Sequence, residues 1–110
     1  MSFAVVKLFS VTVNDPNHVG QTGDWYYLSK VNGITINCNE SKTIETIDEK
    51  IRLDLKVYEK DKVADCESLT KEYLYNEIKN RRIKLIVTVT ENRGRFSGNS
   101  AKVEFIFDIK

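Results

Sequence analysis

Apolar and polar residues alternate with a period of two along much of this chain. The pattern is cleanest at residues 51–58, where Ile51, Leu53, Leu55 and Val57 interleave with Arg52, Asp54, Lys56 and Tyr58. Successive side chains of a strand point to opposite faces, so this segment predicts a strand with one apolar and one wet face. Ile83, Leu85, Val87 and Val89 repeat the pattern, as do Val103, Phe105, Phe107 and Ile109. Near the start, Phe3, Val5, Phe9, Val11 and Val13 fit the same period. The early part of that segment is apolar at the intervening positions too, which predicts a central or doubly covered strand.

Turn chemistry supports the same reading. Asn32-Gly33 separates the runs 25–31 and 34–38, and these two residue types best tolerate the positive φ of a type I′ hairpin turn. Asp15-Pro16-Asn17, continuing to Gly23-Asp24, joins the first strand to the second. Asn92-Arg93-Gly94 and Gly98-Asn99 part the last two strong strands. Residues 43–47 read as a short strand or as a loop crossing an edge. Residues 68–79 carry the spacing of a helical turn at Leu69, Tyr73, Leu74 and Ile78, but the β context favours a strand over 71–76. About eight short strands in 110 residues predict an all-β, antiparallel, two-sheet β-sandwich, in a single domain over 1–110, with one helical turn near 68–79 as the alternative.

Composition narrows the class of protein. Seventeen basic residues against sixteen acidic ones leave a net charge of +1, which argues against a bulk nucleic-acid binder. No apolar run is long enough to span a bilayer, so the expectation is not a transmembrane protein. The N-terminal residues lack a basic n-region and their apolar run breaks at Lys7, which reads as a strand rather than a signal peptide and predicts a cytoplasmic location. Thiols there stay reduced, so Cys38 and Cys66 are expected to be free.

Three loops and one strand carry candidate chemistry. Asp15 and Asp24 bracket the first long loop, and Glu59, Asp61, Asp65 and Glu67 surround the loop after the strand at 51–58. Calcium takes six to eight oxygens from flexible loops. About eight strands joined by acidic loops resemble a C2-type β-sandwich in overall layout, over most of the chain. That resemblance implies calcium held by loop aspartates at one end of the sandwich, with docking on phospholipid. Carried to this chain, the ligands are Asp15, Asp24, Asp61 and Asp65. The sequence departs from the family pattern in its later loop, where such domains offer an Asp-x-Asp pair. Here it reads Glu91-Asn92-Arg93-Gly94-Arg95, and the two arginines repel a cation. The chain is also short for such a domain. The ordinary reading of the carboxylates is solvated turn residues that cap their own backbone.

The basic loop is a candidate of its own. Arg93, Arg95 and Phe96 could grip an anionic lipid head group, a phosphorylated ligand or an acidic protein partner, because arginine forks bind phosphate and carboxylate bidentately. The ordinary reading is a hairpin loop kept wet by arginine. In Trp25-Tyr26-Tyr27, alternate faces put Trp25 and Tyr27 together and Tyr26 opposite, so that Tyr26, with Tyr58, Tyr73 and Tyr75, offers an outer aromatic patch. Half-buried strand faces favour tyrosine in any case. Catalysis has only His18 with Cys38 or Cys66 to draw on. Cys38 reads as a small core residue, and Cys66, among carboxylates, as an unreactive thiol.

The functional expectation is a small non-enzymatic binding or interaction module that presents loops at one end of the sandwich and is associated with calcium, an anion or lipid. No other cofactor is expected. The alternative is an assembly subunit that pairs through sheet edges, with the last strand as a candidate edge. A Cys/His hydrolase is the minor reading.

Overall fold

The computed structural model describes residues 2–14, 25–59, 66–90 and 100–110. Eight strands and one short helix follow in the order β1 (Phe3–Asn14), β2 (Trp25–Val31), β3 (Ile34–Thr35), β4 (Ser41–Glu45), β5 (Lys50–Glu59), β6 (Cys66–Leu74), α1 (Tyr75–Ile78), β7 (Arg82–Thr90) and β8 (Ser100–Ile109). They form two four-stranded antiparallel sheets, one ordered β4-β1-β8-β7 and the other β3-β2-β5-β6. The all-β sandwich expected from alternation is therefore present. The segment 68–79 holds both of its candidate structures, a strand to Leu74 and then one helical turn. The ambiguous segment at 43–47 contributes to β4, an edge strand beside β1.

The core is built from the alternating sets. Ile51, Leu53, Leu55 and Val57 of β5 face Leu85, Val87 and Val89 of β7 and Val103, Phe105, Phe107 and Ile109 of β8 across the sandwich, all buried. Completely burying one such side chain is worth about 1.5–3 kcal/mol. Tyr75 and Ile78 of α1 close one end of this core. The Tyr75 hydroxyl donates to the Lys110 carbonyl at 3.0 Å, and its N–H donates to the Glu49 carbonyl at 2.9 Å. These two bonds hold the start of β5, the end of β6 and the end of β8 together.

The phase of β1 differs from the simple alternation. Ala4, Val6 and Leu8 are buried, while Phe3, Val5 and Phe9 are exposed. The pairing of β1 with β8 shifts by one residue between Leu8 and Ser10. A bulge inserts one extra residue and so reverses the in/out parity beyond it. Leu8 pairs with Phe107 before the bulge, and Val11 with Phe105 after it, so both reach the core side. β1 is central in its sheet, as its apolar character suggests, but only one of its faces is covered.

Turns close the end at which β2 finishes and β5 starts. Asn32 and Gly33 have φ of 47° and 83°, the double positive φ of the expected hairpin turn. A second such turn was not legible in the sequence. Asp48 and Glu49 have φ of 53° and 60°, and Ile47 and Lys50 exchange both backbone hydrogen bonds around them. The Ser2 hydroxyl donates to the Glu49 carboxylate at 2.9 Å, which helps to hold a residue type that rarely adopts this conformation.

Candidate binding surfaces

The strand ends establish which connections share an end of the molecule. Lys50 pairs with Leu74, and Tyr75 reaches Lys110, so the starts of β5 and β7 and the ends of β6 and β8 lie together. At the other end, Trp25 pairs with Glu59 and Tyr58 with Cys66 in one sheet. In the other sheet, Asn14 pairs with Lys102 and Thr90 with Ser100. The three long connections, 15–24, 60–65 and 91–99, therefore all depart from and return to the same end. Asp15, Asp24, Asp61, Asp65, Arg93, Arg95, Phe96 and His18 lie in these connections, outside the described residues. Among the described residues, no group of three or more His, Cys, Asp or Glu side chains could hold a metal.

The outer face of the β4-β1-β8-β7 sheet carries an aromatic–cation cluster. Phe9 keeps the outward phase of Phe3 and Val5, ahead of the parity change, and the Arg82 guanidinium lies 4.3 Å from its ring centroid. Arg82 also forks onto Asp108, with Nε donating at 2.7 Å and a terminal nitrogen at 3.2 Å. The hydrogen bond from Arg82 holds the Asp108 carboxyl below its ordinary value, and the attraction of Arg82, Lys7 and Lys110 adds to it. Lys84 pairs more loosely with Glu104 at 3.8 Å. Phe3, Val5 and Ile86 are exposed on the same face. Sequence reasoning missed this cluster. The signal was there: Ala4, Val6 and Leu8 form a second apolar set, and Lys7 marks the set of Phe3, Val5 and Phe9 as the outer one.

The outer face of the β3-β2-β5-β6 sheet presents the aromatic pair. Tyr26 and Tyr58 stack with centroids 5.6 Å apart and planes 16° off parallel. Tyr73 and Tyr75 do not join them: Tyr73 packs against the core and Tyr75 is buried in it. Trp25 and Tyr27 also face the core, and Tyr27 meets Phe105 edge-on. Beside Tyr26, a shallow depression of about 300 Å³ is lined by Leu28, Lys30, Asp54, Lys56, Ser68 and Thr70. Asp54 accepts from Thr70 at 2.7 Å and from Arg52 at 3.2 Å, and Lys50 pairs with Glu72 at 3.5 Å. Charges of both signs neutralise one another here.

The two cysteines are free. Cys66 is exposed at the start of β6. Cys38 is half-buried rather than a core residue, and the preceding Ile34 is exposed. The Cys38 N–H donates to the Tyr27 hydroxyl at 2.9 Å. The last strand is also not an edge: β8 is inside its sheet, between β1 and β7. No helix among the described residues is long and apolar enough to cross a membrane.

No protein-family model matches the chain. No curated protein matches it significantly in sequence.

Proposed function

We propose that this protein is a non-enzymatic binding module of C2-like layout that meets its ligand at the end of the sandwich where connections 15–24, 60–65 and 91–99 leave the sheets. The observation behind this reading is the convergence of the six flanking strand ends. Loops on a rigid β scaffold are where binding function concentrates. The chemistry of those connections is divided. Asp15, Asp24, Asp61 and Asp65 offer hard oxygen donors of the kind calcium takes. Arg93, Arg95 and Phe96 offer guanidinium forks and an apolar side chain, of the kind an anionic lipid surface takes. Calcium held by the aspartates would offset their repulsion of the same anionic surface.

Thermal unfolding in calcium and then in chelator tests the first half. A ligand present at a hundred times its Kd stabilises the native state by about 2.7 kcal/mol. For a domain of this size that raises Tm by roughly 10 °C or more. The rise should vanish in the double variant Asp61→Asn, Asp65→Asn. An unchanged Tm at millimolar calcium refutes the calcium reading. Sedimentation with phosphatidylserine vesicles, comparing wild type with Arg93→Ala, Arg95→Ala, tests the second half. Equal binding by both refutes the arginine role.

A further inference from the structure

The four sheet edges are protected very unequally. β3 is two residues long and β4 five, and the Lys42 ammonium joins them by donating to the Thr35 carbonyl at 2.8 Å. β6 is a long edge, but Glu67 and Lys71 sit at its inward register positions, opposite Val57 and Leu53. Short edge strands and inward-pointing charges are established ways to block pairing with another chain. β7 has neither device. It is nine residues long, contains no proline, and pairs with β8 in one unbroken register from Arg82 to Thr90. Its composition, Ile-Lys-Leu-Ile-Val-Thr-Val-Thr after Arg82, suits a strand throughout. Its two cations are drawn toward β8, Arg82 onto Asp108 and Lys84 toward Glu104.

The hydrogen-bond phase identifies the open groups. Ile109 donates its N–H to the Arg81 carbonyl at 3.0 Å, which sets the odd-numbered residues of β7 as those bonded to β8. In an antiparallel pair the bonded and non-bonded positions alternate. Arg82, Lys84, Ile86, Thr88 and Thr90 therefore turn their backbone groups to the open side. No backbone bond to those groups is seen among the described residues.

We propose that β7 pairs antiparallel with β7 of a second copy of this chain, about a two-fold axis at Ile86, joining the two β4-β1-β8-β7 sheets into one. The register follows from the strand itself. With Ile86 opposite Ile86, Lys84 faces Thr88, Arg82 faces Thr90, and every facing pair on that side belongs to the open set. On the other side Leu85 faces Val87 and Ile83 faces Val89, which continues the core. All nine residues overlap and no like charges oppose each other. Sliding by four residues in one direction sets Lys84 against its own copy, which is destabilising. Ile86, 44% exposed in the single chain and opposite only Glu104 on β8, gains an apolar partner in the pair.

Sedimentation equilibrium from micromolar to millimolar protein tests this. Wild type should move from one chain's mass to two. Ile86→Lys, which places two ammonium groups at the axis but leaves an exposed side chain exposed in the single chain, should remain at one. A cross-linking arm uses Ile86→Cys with Cys38→Ser and Cys66→Ser. Facing residues in a bonded antiparallel pair have Cα atoms about 5.5 Å apart, within disulfide reach, so oxidation should give a covalent dimer. Ser68→Cys on the β6 edge, in the same background, should not. A wild type that stays at one chain's mass throughout overturns the proposal. So does an Ile86→Lys variant that associates as wild type does, or Ser68→Cys cross-linking in place of Ile86→Cys.

Discussion

Replacing Asn32 should reveal how much of this sandwich hangs on one side chain. Its amide nitrogen donates to the Glu45 carbonyl at 2.9 Å and to the Lys50 carbonyl at 3.3 Å. Its amide oxygen accepts from the Arg52 N–H at 2.8 Å. One residue thus ties the β2–β3 turn to the end of β4 and the start of β5, across both sheets. Each bond contributes about 0.5–1 kcal/mol net at a half-exposed site. Asn32→Gly keeps the backbone's freedom at φ 47° and loses the three bonds, so it should cost about 1.5–3 kcal/mol. Asn32→Ala loses the same bonds and must also hold a Cβ in the left-handed region, a further cost of about 1 kcal/mol. Those losses compare with a total stability of about 5–15 kcal/mol for ordinary domains. Urea unfolding followed by the fluorescence of the single tryptophan, Trp25, measures them, and an unchanged m-value shows that stability changed without a change in the surface exposed on unfolding. The reasoning fails if Asn32→Gly costs under about 0.5 kcal/mol. It fails in its backbone part if the alanine and glycine variants are equally stable.

Two further perturbations probe the bulge and the outer-face ion pair. Deleting Phe9 should leave the protein folded, because the deletion restores plain alternation between Leu8 and Val11 while both keep facing the core; loss of the cooperative urea transition would show that the bulge itself is required. Asp108 titrates below its ordinary value of 3.8 in the folded chain, so it stabilises the fold above that pH, and the contribution disappears as pH falls through the folded value. Asp108→Asn should therefore flatten the fall in Tm as the pH drops below about 4, and an unchanged acid slope by calorimetry would remove Arg82–Asp108 from the account.

Much of the fold was legible because it is written locally. Ile51, Leu53, Leu55 and Val57 read as one buried face, and they are one, because strand geometry makes period two a property of the chain and not of its partners. Asn32-Gly33 read as a hairpin turn because few residues accept its backbone angles. The Asp48–Glu49 turn, with the same angles, was not legible, since Asp48 tolerates them but Glu49 does not favour them, and the surrounding structure imposes them. The outer aromatic patch was half legible: the alternation correctly sent Tyr26 outward, but Tyr73 and Tyr75 face the core.

Alternation by itself determined that this chain forms strands with one apolar face, enough of them to close a two-layer core, with tight and loose connections between them. It could not determine which strands are neighbours. Pairing joins residues far apart in sequence, such as Val6 with Ile109, and depends on a whole-chain minimum rather than on any window of residues. Only the tertiary structure decided that β8 is interior and β7 an edge, that an inserted Phe9 reverses the phase of β1 and meets Arg82, and that the strand ends flanking the three charged connections share one end.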